Sequence, residues 1–229
     1  MRWSPARLAT TFALLAWAGL FWFLLATGRS GLYLSSRTDW VIPVGAIVLT
    51  IAGLGRLATS RDEQAEAVGR GQAWGVGLIV LPVVAILALP PASLGSFAAS
   101  RRQVVGGNFA SSGEIGEEVS LAEVAGAMWS DEARRALFER AGSPVDFVGI
   151  VTHRDGLPPD EFYLTRFIVS CCVADALGVQ VRVVGAPRGL PEDDWVRVKG
   201  TLYPLKDDVV VAVSSVQRIP RPEHPYLTV

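Results

Sequence analysis

Apolar and polar positions change pattern near residue 100. Before it, three stretches carry no charge. Leu8–Gly28 runs for 21 residues, enough to cross a hydrocarbon core of roughly 30 Å. Trp40–Gly55, between Asp39 and Arg56, is shorter at 16 residues. Trp40 suits an aromatic anchor at a membrane interface, and Pro43 falls in the first turn, where a missing N–H costs little. The third stretch is uncharged from Gly71 to Ser100 and centred on VGLIVLPVVAILALP, with Pro82 as an expected kink and Pro90-Pro91 as a stop. The pattern predicts a membrane region over residues 1–100 with helices at 8–28, 40–55 and 74–93. The first stretch is longer than the apolar part of a signal peptide, about 7–15 residues, and Ala26 with Gly28 is a weak cleavage signal, so it is expected to stay as a span.

Residues 101–115 are rich in Ser and Gly and read as a linker. Residues 116–229 then read as a soluble domain. Ser120 with Glu123 makes a capping box ahead of LAEVAGAM. Ser130 opens a second helix, DEARRALFERA, with acids in its first turn and Gly142 as its stop. Ala133, Leu137 and Ala141 share one face, expected to lie on the sheet that follows. From Pro144 onward the period shortens. Val145–Thr152, Phe162–Cys172, Val179–Gly185, Trp195–Leu202 and Val209–Ile219 are β-branched and aromatic runs between breaks of Gly, Pro and Asp. Along Trp195–Lys199, Val196 and Val198 compete with Trp195 for burial while Arg197 and Lys199 point outward. Five short strands predict an α+β domain built on a small OB-like barrel, with a β-sandwich fragment as the alternative.

Charge follows the same division. Residues 1–100 hold 7 basic and 4 acidic side chains, and residues 101–229 hold 14 and 18. The slightly acidic soluble part offers no basic face for nucleic acid, and half the chain being hydrophobic excludes a disordered protein. With the N-terminus inside, Arg2, Arg7, Arg56, Arg61 and Arg70 lie on the cytoplasmic side, and Arg29, Arg37, Arg101 and Arg102 lie outside. The positive-inside rule then places the soluble domain outside the cytoplasm, on a bacterial cytoplasmic membrane. No span carries an ionisable residue in its middle, as transport pathways usually do. The spans therefore read as an anchor in the lipid bilayer or as a surface for another protein. Gly45, Ala46, Gly53, Gly75 and Gly77 would permit close helix approach.

The chemistry concentrates in FYLTRFIVSCCVADA, residues 162–176, which holds the chain's two cysteines. Adjacent residues of a strand point to opposite faces, so both thiols can meet one ligand only if the backbone bends there. Three readings stand. Cys171 and Cys172 are buried small hydrophobes; or they are thiolate ligands of a soft metal such as zinc, with Asp175 or His153 nearby; or they cycle between dithiol and vicinal disulfide. His153 and His224 are the only histidines. They would complete a Cys2His2 set in principle, without any local zinc spacing, and otherwise read as surface residues. Arg166 has a plain structural role available, pairing with Asp175 or with an acid at the barrel edge. No nucleophile elbow, phosphate loop or spaced carboxylate pair is present in the sequence, so no enzymatic activity is expected.

Three spans ending in LPPASLGS, the run RFIVSCCVADA, then WVRVKGTL and finally Pro222-Glu-His-Pro-Tyr226 resemble the YcgQ-like family of bacterial membrane proteins along essentially the whole chain. The matching motif positions are Arg166, Ser170, Cys171, Cys172, Ala174 and Asp175. The resemblance implies an accessory subunit of a two-component permease, partnered by a polytopic membrane permease similar to efflux proteins for metalloid compounds. It carries over no catalytic residue. The expectation is therefore a permease subunit whose exocytoplasmic domain binds a soft metal or metalloid. A membrane-anchored thiol-redox protein and a purely structural interaction module are the alternatives.

Overall fold

The computed structural model describes residues 2–62, 69–89, 93–101, 119–127, 130–205 and 208–228. It divides into two compact units. One is built on helices α1 (Pro5–Ala26), α2 (Val41–Ala58) and α3 (Arg70–Ala88). The other joins the tetrapeptide Leu34–Arg37 to the chain from Ser93 onward.

All three helices are long and apolar enough to cross a membrane. α1 starts three residues earlier than the uncharged stretch because Ser4 and Pro5 supply an N-cap position and an N1 proline. α2 packs on α1 through small residues. A Cβ on Gly45 would sit 2.6 Å from the Phe21 ring, and one on Gly53 would sit 2.5 Å from Leu15. Ala46 is fully buried. Gly75 and Gly77 of α3 face open space instead, so the close approach expected of small residues holds for α2 and not for α3. Indole N–H groups reach across the unit: Trp17 donates to the Ile79 carbonyl at 2.9 Å and Trp22 to the Thr50 hydroxyl at 3.1 Å. α3 ends at Ala88, short of the expected 93. The Pro90-Pro91 stop lies outside the described residues, as does the 101–115 linker apart from Arg101.

The second unit opens with a short helix that sequence reading did not anticipate, α4 (Ser96–Arg101). Its first residue is held by Asp193, whose carboxylate accepts from the Ser96 N–H and, at 3.1 Å, from its hydroxyl. Helices α5 (Leu121–Ala127) and α6 (Asp131–Glu139) follow. The capping box forms as expected, with Glu123 N–H on Ser120 Oγ at 3.2 Å and Ser120 N–H on the Glu123 carboxylate. Ser130 Oγ accepts from Ala133 N–H at 3.4 Å; each such cap is worth about 1 kcal/mol. Ala133 and Leu137 are buried, but Ala141 is exposed. The helix stops at Glu139, so Ala141 falls in the turn that Gly142, with φ +86°, completes.

Five strands then close into a barrel: β1 (Pro144–Thr152), β2 (Glu161–Val169), β3 (Leu177–Val184), β4 (Trp195–Pro204) and β5 (Val209–Arg218). The ring order is β1-β2-β3-β5-β4 and back to β1, with β3 and β5 parallel and the other neighbours antiparallel. Closure excludes the open sandwich. β1 makes the ring possible by changing partner along its length: Pro144–Ile150 pairs with β4, and Ile150–Thr152 pairs with β2. A bulge places Ser214 opposite the Lys199–Gly200 step and bends β5. The interior is filled by alternate residues such as Leu164, Val181, Val196, Val198 and Leu202, all with no exposed surface. Leu121, Val124, Ala133 and Leu137 from α5 and α6 complete that core. Trp195 is only partly buried and packs on a second, smaller cluster outside the barrel, formed by Ala99, Ile150, Phe167, Val169, Ala176 and Tyr226.

A two-residue strand near the C-terminus, β6 (Leu227–Thr228), adds parallel to Ile168 and Val169 at the end of β2. The preceding Pro-x-x-Pro-Tyr element explains why it lies there. Tyr226 is buried in the second cluster and its hydroxyl accepts from Leu94 N–H at 3.2 Å.

Candidate metal centre

β2 stops at Val169, not at Cys172 as its apolar run predicts. The reason is local. Asp175, in a single 3-10 turn at Val173–Asp175, folds its carboxylate back onto the three N–H groups that would otherwise extend the strand. Ser170 N–H donates to Oδ1 at 3.0 Å, and Cys171 and Cys172 N–H donate to Oδ2 at 2.8 and 3.4 Å. Cys172 is the cap of that turn, its sulfur accepting the Asp175 N–H in return. The chain bends at Ser170 and Cys171, which meets the condition for both thiols to serve one ligand. Their sulfurs stand 3.8 Å apart. Cys171, Cys172 and Asp175 each offer a ligand atom, all within 4.8 Å of one another.

Neither cysteine is core. Cys171 is exposed and Cys172 is half-buried, which removes the reading of buried small hydrophobes. Both are reduced. Hydrogen bonds to Asp175 and to Cys172, then slight desolvation and repulsion by the Asp175 charge, push the Cys171 thiol up to about 11. Thiols active in disulfide exchange are shifted the other way, toward easier ionisation. For Asp175, desolvation acts to raise the pKa, but hydrogen bonds from the Cys171 thiol and from the three backbone N–H groups outweigh it and hold the carboxyl below its usual value.

The histidines are not part of this group. His153 Nε2 contacts the Leu190 carbonyl at 2.9 Å, and His224 is exposed and contributes only its backbone carbonyl to a hydrogen bond with Arg166. A Cys2His2 set is therefore not assembled. Arg166 does not pair with Asp175 or with another acid among the described residues. Its guanidinium donates to three backbone carbonyls, His224 at 3.1 Å, Pro225 at 3.3 Å and Val148 at 3.4 Å, and its charged carbon lies 5.9 Å from the centre of the Trp195 ring. Burial lowers its pKa. Arg166 thus ties the Pro-x-x-Pro-Tyr element to the barrel, and two separated parts of the sequence motif meet in one structural clamp.

One participant had no signal in the sequence. Ser35, 135 residues before Ser170, has only 1% of its surface exposed, and its hydroxyl donates to the Ser170 carbonyl at 2.9 Å. Its N–H donates to the Cys171 carbonyl at 3.2 Å, and Leu34 forms an antiparallel bridge with Cys172. Both lie in the tetrapeptide that belongs to the second unit. A cleft of about 460 Å³ on the barrel, lined in part by Arg140, Asp146, Lys199 and Ser214, brings no comparable ligand set together. Arg197 and Lys199 lie on either side of Asp146 at 3.7 and 3.6 Å, an exposed arrangement worth little energetically.

Comparison with known families places the barrel and its two covering helices together: residues 117–228 match the model of the DUF1980 C-terminal domain, a domain of unknown function. The match spans just under half of the chain. No curated protein matches the chain.

Proposed function

We propose that this DUF1980-type domain is an OB-type barrel carried on a membrane anchor of three spans, and that Cys171, Cys172 and Asp175 hold a soft metal ion on it. The carrying observation is the sulfur separation. Two thiolates on a tetrahedral ion with metal–sulfur bonds of about 2.3 Å stand about 3.8 Å apart, the spacing found between Cys171 and Cys172. The Asp175 carboxylate lies within ligand reach of both sulfurs, so it can be a third donor. Zinc, with its preference for sulfur and oxygen donors in four-fold coordination, fits this set and would retain an open fourth position. An exposed site with an open position suits an ion that is picked up and passed on better than one that is locked into the fold.

The wider reading is an accessory subunit of a bacterial membrane permease, which the resemblance to the YcgQ-like family suggests. The spans support it by carrying no ionisable residue at their centres, which suits an anchor or a docking partner and not a conduction path. The Ser35 contacts bear on topology. They favour crossing by both α2 and α3, which would leave Leu34–Arg37 and the barrel on the same face of the membrane. The positive-inside count supports the exocytoplasmic face.

Two measurements test these readings. Substituting Cys171→Ser together with Cys172→Ser in the full chain should abolish binding of Zn²⁺ or Cd²⁺ by equilibrium dialysis; unchanged affinity overturns the metal reading. Affinity purification from native membranes in mild detergent should recover a polytopic permease in near-equal amount, and isolation of the chain alone overturns the subunit reading.

A further inference from the structure

The peptide that carries the thiols is held from two sides. On its N–H side, the Asp175 carboxylate takes the hydrogens of Ser170, Cys171 and Cys172. On its carbonyl side, Ser35 takes the oxygens of Ser170 and Cys171 with its hydroxyl and its N–H. Leu34 continues the contact as a bridge to Cys172. Ser35 is 1% exposed, so water does not replace these bonds where they are made. Leu34 and Ser35 make these contacts, within a tetrapeptide, Leu34–Arg37, that belongs to the same compact unit as the barrel.

We infer that the Leu34–Arg37 segment is the second half of the thiol site: Ser35 is a positioning residue for Cys171 and Cys172, and occupation of the thiols by a metal ion is coupled to how this segment is held. The inference rests on the metal reading above and adds to it a segment far away in the sequence. The coupling has a definite physical source. An ion drawn to both sulfurs and to Asp175 Oδ1 competes with the backbone N–H groups for that carboxylate. The three peptide planes then re-aim, and two of their carbonyls, those of Ser170 and Cys171, are the ones that Ser35 holds. Since the effect of ligand on clamp and of clamp on ligand must be equal, loosening the clamp must change metal affinity.

The test uses the full chain in lipid nanodiscs with the thiols reduced and Cd²⁺ alone as the probe, its binding read from the thiolate-to-metal absorption band. Losing one hydrogen bond in the Ser35→Ala variant should change Cd²⁺ affinity about threefold to tenfold. In the unsubstituted protein, Cd²⁺ should alter amide hydrogen exchange across residues 34–37, and the double Cys→Ser variant should show no such change. The exchange measurement needs no altered Ser35 and so stands even if Ser35→Ala fails to fold. Cd²⁺ binding with unchanged exchange at 34–37 and unchanged affinity in Ser35→Ala overturns the inference and leaves the metal reading intact. No Cd²⁺ binding by the unsubstituted protein overturns both.

Discussion

Val181, Val183, Val196 and Val198 of the barrel expose nothing, whereas Val44, Val48 and Val84 of the helices keep 47%, 56% and 55% of their surface open. The residues are the same and the surroundings differ. In the barrel, alternate side chains turn inward and α5 and α6 cover the end, so the chain buries its own apolar surface from water. Along α2 and α3 the apolar surface is left for something else to cover. Trp74, Leu78 and Leu81 of α3 are among the most exposed large side chains of the molecule. Extended apolar exposure of this kind marks a lipid or protein contact in a way that single exposed residues do not. The contrast teaches that similar apolar content can build either a closed core or an open anchor, and that periodicity decides which.

Two glycine substitutions give the largest effect and the sharpest test of that contrast. A Cβ on Gly200 would lie 2.3 Å from the Ala212 carbonyl oxygen, whereas one on Gly55 of α2 meets nothing within 4 Å. Gly200→Ala should cost roughly 3 kcal/mol or more, because the obstacle is backbone within a closed ring. Gly55→Ala should leave stability unchanged or raise it by up to about 1 kcal/mol. Thermal unfolding of the full chain in detergent measures both, and equal effects would break the comparison.

An intermediate effect separates the regions by their access to water. Both cysteines of the chain lie at the barrel and none in the helices, so a charged alkylating reagent reports on the barrel alone. With its thiol at about 11, Cys171 should react at pH 8 about tenfold more slowly than an ordinary thiol, the smaller thiolate fraction being partly offset by greater nucleophilicity. Asp175→Asn removes the accepting carboxylate and its charge, lowers the thiol pKa and should speed labelling. Mass spectrometry of the labelled peptide reads the rate at Cys171, and no change in Asp175→Asn would contradict the assigned cause.

The smallest effect concerns the second cluster. Tyr226→Phe keeps the ring and removes the acceptor of Leu94 N–H, which should cost about 0.5–1.5 kcal/mol in the same unfolding measurement. A larger loss would mean that this cluster, and not the barrel core alone, governs the stability of the second unit.

Features set by neighbours in sequence were legible. The Ser120–Glu123 capping box, the Ser130 cap and the Gly142 stop all act within three or so residues, and all formed. The five strands were legible in number and nearly in extent, because alternation and β-branching mark each one. Ala141 failed because a two-residue difference in where α6 ends removes it from the face. Cys171 and Cys172 could be singled out but not oriented, since the bend depends on Asp175 capturing three N–H groups in place of a strand partner. Arg166 was legible as a motif residue and not as a clamp on carbonyls, because its partners are backbone atoms and backbone atoms leave no mark in sequence. Ser35 was illegible for the same reason and from farther away.

The Asp175 carboxylate has one more consequence. Three successive N–H groups converging on one point form a concave seat for an anion, and the protein fills that seat with its own side chain. Shortening the tenant, as in Asp175→Gly, leaves the seat vacant without removing it. Acetate or formate supplied in solution should then occupy it and return the thiol loop to its native reactivity, so that a covalent feature of the chain becomes a replaceable one.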